Sequence, residues 1–310
     1  AMRDLARCDF TRILGVHRAM PATTAALELA LFDLICRLHN RPGLSGLHSV
    51  PETADLVRHH AVAVPVSFVV DLASEFTERI ARLGSASIAA IRHVKVKATA
   101  DIDDCVRRVA VVREHFGSDT QISVDVNGDW DRMAAITAAR RLAELGVAWI
   151  EEPVAARDWK ALREIRESAG IAVMLDESFI GLADLDTAAD LEAADHLNVR
   201  ISKCGGIFAT LALIRAARER GLGAQLGVHV GEVGPLWAAA RMVSCAVDSL
   251  LTVEAGKQDE WFLAPLTDPP YTVDRINWVA EPLDGIGIGV VPSGTLLEHC
   301  AQRPEGVGRR

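Results

Sequence analysis

Short apolar runs alternate with helical stretches along most of this 310-residue chain, and this alternation constrains the fold more than any other feature. The runs are rich in β-branched residues and have the length of single buried strands. Eight of them occur in order: VPVSFVV (64–70), IRHVKVK (91–97), ISVDVN (122–127), AWIEE (148–152), IAVMLDE (171–177), HLNVRIS (196–202), GAQLGVHV (223–230) and SLLTVEA (249–255).

Amphipathic stretches between these runs predict the helices that connect the strands. They are DDCVRRVAVVREHF, DRMAAITAARRLAELG, DWKALREIRESAG and ATLALIRAARERG, of which the second and third end at Gly146 and Gly170, as helices capped by glycine do. Strands that alternate with helices indicate βαβ units and a parallel sheet, and eight such units favour a closed barrel. A doubly wound open sheet is the alternative, but no glycine-rich dinucleotide turn follows the first run.

The two ends of the chain differ from its middle. Residues 1–60 hold one strongly helical stretch, TTAALELALFDLICRLHN, which Pro42 and Gly43 terminate. Residues 256–310 are rich in proline and glycine, and their GIGIGVV (285–291) predicts a turn and a strand because neither a helix start nor a lysine follows it. We therefore predict a partial helical capping region at 1–60, the barrel at 61–255, and a C-terminal segment at 256–310 that returns to the cap.

Composition excludes several classes of protein. The net charge of −9 disfavours a nucleic-acid partner, since such proteins carry basic patches. Six scattered cysteines without a C-x-x-C pair indicate a reduced, cytoplasmic protein. The sequence opens with no secretory signal and contains no apolar run of transmembrane length, so we expect no membrane partner.

Polar side chains stand at or near the ends of six successive strand runs. They are 25 to 28 residues apart, which is one strand–helix unit each time: Lys97, Asp125, Glu151, Asp176, Lys203 and His229. Because their position within the unit is nearly constant, we expect all six to meet at one mouth of the barrel. In barrels of this kind the C-terminal mouth is where chemistry takes place.

The three carboxylates in this set, Asp125, Glu151 and Asp176, indicate a cation site. Carboxylates that point at one spot repel each other strongly unless a cation joins them. Mg²⁺ suits a set of oxygen ligands and leaves positions for water or substrate; Mn²⁺ is an alternative, and zinc fits less well because neither Cys nor His recurs at these positions. The competing interpretation is that each acid pairs with a neighbouring Lys or Arg.

Lys95 and Lys97 point to the same face of an otherwise apolar strand, because strand side chains alternate. A lysine beside other cations has a lowered pKa and can accept a proton as a neutral amine. We therefore expect one amine of the cluster to act as a base and another to stabilise an anionic oxygen.

Five of these segments resemble motifs of the enolase superfamily, in particular of its muconate lactonizing enzyme subgroup: VKVKA, SVDVN, WIEEP, LDES and ISKCGG. In addition, ALELALFDLICRLHNRP resembles the helix that closes the capping domain of that family. The resemblance extends from about residue 20 to about residue 295. It implies a modified TIM barrel of the (β/α)7β type with a reduced capping domain.

The resemblance also implies a reaction and a cofactor. Mg²⁺ held by Asp125, Glu151 and Asp176 would bind a small carboxylate substrate and stabilise the enediolate left when its α-proton is removed. Lys97 and Lys203 would lie on opposite faces of the reacting carbon. Racemisation or epimerisation would follow if both act, and cycloisomerisation or dehydration if one does.

Further roles follow from the same resemblance. Lys95 would support Lys97 and the oxyanion, and Asn127 would lie beside the metal ligands. In LGVHVGEVG, Glu232 would take the acidic position of the seventh strand and leave His229 free to contact substrate. Relatives commonly assemble, so a homo-oligomer is expected.

The sequence departs from this family ahead of the VKVKA strand. Fewer residues precede that strand than in family members, and the missing part resembles the capping sheet and a mobile loop that covers substrate. We therefore retain one alternative from a different class: a non-catalytic or impaired relative that binds a metabolite or a partner.

Overall fold

Eight parallel strands form the centre of the protein in a computed structural model that describes residues 1–13, 20–72, 76–229, 231–254 and 261–301. Strand β1 precedes them, three short strands follow them, and the order of β2 to β9 in the sheet is their order in the chain. The strands are β1 Val64–Pro65, β2 Phe68–Val70, β3 His93–Lys97, β4 Gln121–Asp125, β5 Trp149–Glu151, β6 Ala172–Leu175, β7 His196–Val199, β8 Gly223–Leu226, β9 Leu250–Val253, β10 Thr267–Asp268, β11 Val279–Ala280 and β12 Val291–Pro292.

The sheet curls until its edge strands meet. The backbone N–H of Ser67, just before β2, donates to the carbonyl of Val253 at the end of β9, with 2.8 Å between N and O. Ser67 also pairs with Glu254 in a parallel bridge. Helices separate consecutive strands from β2 to β9, which confirms the predicted (β/α)7β barrel.

Helices connect the strands and surround this barrel. They are α1 Met2–Ala6, α2 Phe10–Ile13, α3 Pro21–Leu38, α4 Gly43–His48, α5 Phe76–Ala81, α6 Ser85–Ala90, α7 Ile102–Phe116, α8 Arg132–Glu144, α9 Trp159–Ala169, α10 Leu182–Asp190, α11 Ile201–Cys204, α12 Ile207–Glu219, α13 Pro235–Ala246 and α14 Gly294–Ala301. Within the described ranges, none of them combines the length and the apolar character needed to cross a membrane.

Aspartate caps explain where the helices after β3, β4 and β5 begin. The carboxylates of Asp101, Asp131 and Asp158 accept hydrogen bonds from backbone N–H groups in the first turns of α7, α8 and α9. Helix α9 ends at Gly170 in the left-handed conformation (φ 62°), as the sequence predicts. These fixed starts set the lengths of the loops at the barrel mouth.

The first predicted strand is divided into two pieces. Residues Val64–Pro65 leave the barrel and pair with Val279–Ala280, and only Phe68–Val70 joins the central sheet. Pro65 has no N–H to donate, so this position is unsuited to a strand with neighbours on both sides. The prediction of one continuous strand over 64–70 was therefore wrong.

The long helix α3 links the N-terminal region to the barrel. Its buried stripe, which includes Ala25, Leu29 and Phe32, packs against α11, α12 and α13. The N–H of Gly43 donates to the carbonyl of Gly287 (2.7 Å), so the C-terminal segment returns to this region. The predicted limit at residue 255 lies outside the described residues, and the division into capping region and barrel stays a prediction.

Candidate active site

Three of the predicted site residues stand level with one another on neighbouring strands. Lys97 of β3 pairs in register with Asp125 of β4, and Asp125 pairs with Glu151 of β5. All three residues end their strands, so their side chains converge at the C-terminal mouth. Lys97 Nζ lies 2.6 Å from Asp125 Oδ2 as a result.

Lys95 lies one step deeper and joins three carboxylates. Its Nζ is 3.0 Å from Asp125 Oδ2, 2.7 Å from Glu151 Oε2 and 2.6 Å from Glu254 Oε1. The side chain is almost fully buried, and burial alone would lower its pKa, but the charges of Asp125, Glu151 and Glu254 raise the pKa well above its usual value. Lys95 is therefore a fixed positive charge inside the barrel.

The pKa values of two neighbouring acids shift in opposite directions. Burial would raise the pKa of Asp125, but the ammonium groups of Lys95 and Lys97 lower it to about 2. Burial and the charge of Asp125 raise the pKa of Glu151 to about 8. Asp125 therefore holds its negative charge firmly, whereas burial and the charge of Asp125 favour the protonated form of Glu151 at neutral pH.

Asp176, at the end of the next strand, completes the row of acids and is paired with two positively charged side chains. It follows β6 directly and forms ion pairs with Arg200 and with Lys203, whose Nζ is 2.7 Å from Asp176 Oδ1. The Lys203 ammonium also donates to the carbonyls of Asp176 (2.9 Å) and Asn198 (2.6 Å). These contacts fix Lys203 on the side of the cluster away from Lys97.

Lys203 reaches this place from a different element than the sequence predicts. Strand β7 ends at Val199, and Lys203 lies in the single helical turn α11 that follows. The turn ends in two glycines of positive φ, Gly205 (95°) and Gly206 (134°), a conformation that side chains with a Cβ rarely adopt. The prediction that this lysine ends the sixth strand was wrong, although the lysine does reach the mouth.

Three further residues belong to the cluster and were not among the predicted site residues. Glu254 follows β9 and accepts hydrogen bonds from Val228 N (2.9 Å) as well as from Lys95. Asn198 Nδ2 donates to Glu151 Oε1 (2.7 Å), and Arg200 pairs with Asp176. The rule of polar residues at or near strand ends could have found Glu254, the last residue but one of the run SLLTVEA.

Asn127 connects Lys97 to the next loop. Its Oδ1 accepts from Lys97 Nζ (2.8 Å), and its Nδ2 donates to Glu177 Oε1 (3.0 Å). The residue has a positive φ of 52°, which an asparagine tolerates better than most side chains. It therefore stands beside the acids, as the sequence predicts.

Glu232 and His229 differ in their surroundings. The buried carboxylate of Glu232 accepts from the backbone N–H groups of Ser202 (2.8 Å) and His229 (2.9 Å), so it ties the loop after β8 to the Lys203 turn. The His229 side chain is exposed and borders the cavity at the mouth. Both residues line the cavity, Glu232 with a buried carboxylate that ties two loops together and His229 with an exposed side chain.

A cavity of about 330 Å³ opens at this mouth above the carboxylate cluster. Its wall combines the apolar residues Val69, Val228, Val233 and Trp261 with polar and charged ones, including Lys95, Lys97, Asn127, Glu177, Arg200, His229 and Glu254. Its volume is at the lower end of the range that small-molecule pockets occupy.

The three acids suit a hard divalent cation by their chemistry and position. They offer only oxygen ligands, from three adjacent strand ends, and Glu151 Oε2 receives no well-directed hydrogen bond from the described residues. Each acid is nevertheless paired with Lys95, Lys97, Lys203 or Arg200, and among the described residues no group of three His, Cys, Asp or Glu side chains is arranged around one metal position. Some of these ion pairs must open before three acids can share one ion.

Comparisons with known proteins identify the family of this chain. A family model described as "Enolase C-terminal domain-like" matches residues 71–295. The N-succinyl-L-Arg/Lys racemase of Bacillus cereus is 32% identical over 213 residues, which cover 68% of this chain and 55% of that protein. A chloromuconate cycloisomerase of Pseudomonas putida is 28% identical over 273 residues, or 86% of this chain and 70% of that protein.

A solved structure extends the similarity to most of the fold. The crystal structure of the N-succinyl Arg/Lys racemase from Bacillus cereus superposes with a TM-score of 0.80 at 25% sequence identity. The match covers 96% of this chain and 76% of that one. In sequence, however, the matched part spans only about half (55%) of the racemase.

Proposed function

Because this chain belongs to the Enolase C-terminal domain-like family of the enolase superfamily, we propose that it is an isomerase or lyase that removes the α-proton of a small carboxylate substrate. The observation that carries this proposal is the placement of Lys97 and Lys203 on different members of one carboxylate row, Asp125 and Asp176. Two amines on either side of an acid cluster are what proton transfer at both faces of one carbon requires.

The row of acids supports Mg²⁺ as the cofactor, with Mn²⁺ as the alternative ion. We infer that Asp125, Glu151 and Asp176 hold it, because they present oxygen ligands from adjacent strand ends and because a bound cation would offset the burial and the charge of Asp125 that raise the pKa of Glu151. When bound, Mg²⁺ would draw the substrate carboxylate into the mouth and stabilise the negative charge of the enediolate.

The lysines divide the remaining work. Lys97 borders the cavity and stands next to Asn127, so it is placed to take a proton from one face of the α-carbon. We propose that Lys203, which pairs with Asp176 at the other end of the carboxylate row, returns a proton at the other face. Lys95, surrounded by three carboxylates, keeps its charge and supports the anionic oxygens from below.

Isomerisation is the reaction class that the relatives favour. One relative is named a racemase and another a cycloisomerase, and both names describe isomerases. If both lysines of this chain exchange protons, the outcome is racemisation or epimerisation; if one does, it is cycloisomerisation or dehydration. His229 and Asn127 face the cavity and are proposed substrate contacts, while assembly into a homo-oligomer stays a prediction.

Deuterium exchange tests this proposal without knowledge of the natural substrate. The protein is incubated in D₂O with Mg²⁺ and a library of small carboxylates that includes N-acyl amino acids, dipeptides and muconates. We expect deuterium at the α-carbon of at least one class, lost when EDTA removes the ion. An absence of exchange throughout the library, with Mg²⁺ shown to bind, would contradict the proposal.

One observation favours a second candidate, a relative that binds but does not catalyse. All three acids are engaged by cations of the chain itself, and such pairs stabilise a site that has no ion. This candidate predicts that Mg²⁺ binds weakly and that a small carboxylate binds in the cavity equally well with or without it. Calorimetric titration of the ligand, in the presence and absence of Mg²⁺, separates the two candidates.

A further inference from the structure

The buried carboxylate of Glu28 connects helix α3 to the turn that carries Lys203. Glu28 is only 5% exposed and lies among apolar residues of the buried stripe of α3. Its Oε1 accepts hydrogen bonds from the backbone N–H groups of Ile207 and Phe208, the latter at 3.3 Å. Burial of a carboxylate is costly unless its oxygens accept hydrogen bonds, and these two N–H groups compensate part of that cost for Glu28.

The two amides belong to the first turn of helix α12. Its N-cap residue is Gly206, which has no side chain to offer the free N–H groups at the start of the helix. Glu28 thus supplies from another helix the acceptor that Ser, Thr or Asp usually provides at the N-cap. The start of α12 is therefore fixed by a residue far away in sequence.

The fixed point is adjacent to Lys203. Helix α11, with Lys203 near its end, leads through Gly205 and Gly206 directly into Ile207. The N–H groups of both glycines donate to the carbonyl of Ile201 (3.2 and 3.0 Å), so the turn is a compact unit. A displacement at Ile207 would be transmitted to the backbone of Lys203.

The packing on Gly206 shows how closely Glu28 fits. A methyl group on Gly206 would overlap the Glu28 carboxylate, lying 2.7 Å from its Oε2. Behind this contact Phe32 of α3 packs edge-on against Phe208, with ring centroids 6.0 Å apart. The carboxylate and the aromatic pair together hold the turn against α3.

We propose that Glu28 is a positioning residue that holds the Lys203 turn in place, so that helix α3 determines the position and orientation of Lys203. This inference rests on the proposed function for the role of Lys203, but the hold on the turn does not. Glu28 touches neither the cavity nor the acids; it acts through the backbone of residues 205–208.

Asp33 provides a matched control on the same helix. Its carboxylate also accepts a backbone N–H from a distant segment, that of Ile288 (2.9 Å), and pairs with Arg37. Asp33 therefore anchors α3 to the C-terminal segment and not to the Lys203 turn. Any effect of losing an anchor of α3 in general appears in Asp33→Ala as well.

The experiment combines two readouts on Glu28→Ala, Glu28→Gln and Asp33→Ala. In hydrogen exchange followed by mass spectrometry, Glu28→Ala should lower the protection of peptides covering 200–208 by about tenfold. Glu28→Gln keeps an acceptor oxygen and should retain that protection, and Asp33→Ala should leave it unchanged. If Glu28→Ala does not fold, Glu28→Asp, whose shorter side chain withdraws the carboxylate from the same two N–H groups, takes its place.

The second readout is Mg²⁺-dependent deuterium exchange of each enantiomer of a substrate. Glu28→Ala should slow deuterium exchange by about 10- to 100-fold for the enantiomer whose exchange Lys203→Ala also slows. For the other enantiomer the exchange rate should change by less than about threefold. The proposal would be overturned if Glu28→Ala left the hydrogen-exchange protection of 200–208 unchanged, or if it slowed deuterium exchange equally for both enantiomers. If the wild-type protein exchanges neither enantiomer, the proposed function fails, and the protection of 200–208 alone decides whether Glu28 holds the turn.

Discussion

The ammonium of Lys95 lies 2.7 Å from the carboxylate of Glu151 inside the barrel, and the same ammonium also contacts Asp125 and Glu254. One cation is thus shared by three buried acids. Loss of a single partner from such a group leaves charges that water cannot reach, which costs more than the group as a whole contributes.

Replacement of Lys95 by methionine should therefore destabilise the protein strongly. We expect Lys95→Met to lower the free energy of unfolding by about 3 to 5 kcal/mol, measured by urea denaturation without divalent ions. Arg163→Met, which removes an exposed pair with Glu167, is the control and should barely move the urea midpoint. A loss as small as that of the control would show that Lys95 does not compensate the acids.

Removal of the charge of Glu151 should weaken Mg²⁺ binding. Glu151→Gln keeps an oxygen for the Asn198 amide but offers the ion a neutral ligand, so the affinity measured by isothermal titration calorimetry should fall by more than about tenfold. Glu164→Gln, an exposed residue of α9 paired with Arg132, is the control and should bind Mg²⁺ as the wild type does. Equal affinities in the two variants would exclude Glu151 as a ligand.

Lys97 and Lys203 should each be required for proton exchange of a different substrate enantiomer. We expect Lys97→Ala and Lys203→Ala each to slow α-proton exchange by about 10²- to 10⁴-fold for one enantiomer, and the affected enantiomer should differ between the variants. NMR detection of deuterium incorporation from each pure enantiomer provides the measurement. The same enantiomer lost in both variants would show that the lysines do not serve opposite faces.

His93, the first residue of β3, should make the stability of the protein depend on pH. Burial, together with the charge of Lys95, lowers its pKa to about 3, and its ring lies between Ser67 Oγ (2.7 Å) and Ser123 Oγ (2.9 Å). The unfolded chain binds a proton below the ordinary histidine pKa of 6.5 while the folded protein does not, so its contribution is complete above pH 6.5 and is lost as pH falls toward 3.

The variant His93→Gln isolates this contribution. The wild type should lose about 1.4 kcal/mol more stability than the variant for each pH unit below 6.5, measured by denaturant titrations at several pH values. Parallel stability curves for the two proteins would mean that the pKa of His93 is the same in the folded and the unfolded protein.

Much of the fold was predictable because strand and helix periodicity is a local property. All eight barrel strands occur where apolar runs predict them, and Gly170 ends α9 as a glycine cap should. The level arrangement of Lys97, Asp125 and Glu151 also follows from sequence, since each residue ends its strand and parallel strands align their ends.

The parts that the sequence did not predict depend on contacts between distant segments. The place of Lys203 on a helical turn depends on Gly205 and Gly206, whose positive φ values no periodicity indicates. Arg200 and Asn198 lie within an apolar run, and their contacts with Asp176 and Glu151 are made to other strands, so the local sequence does not indicate them. Side-chain pairing across the barrel is a three-dimensional property that spacing alone does not encode.

The central claim is that Asp125, Glu151 and Asp176 hold one divalent ion between Lys97 and Lys203. Anomalous diffraction from crystals grown with Mn²⁺ tests it most directly, because the ion can be located without reference to activity. We expect a single strong anomalous peak within about 2.3 Å of one oxygen of each acid, with the Lys95 and Arg200 pairs at least partly opened. A peak elsewhere, or crystals with Mn²⁺ in excess whose three acids still pair only with Lys95, Lys97, Lys203 and Arg200, would contradict the account.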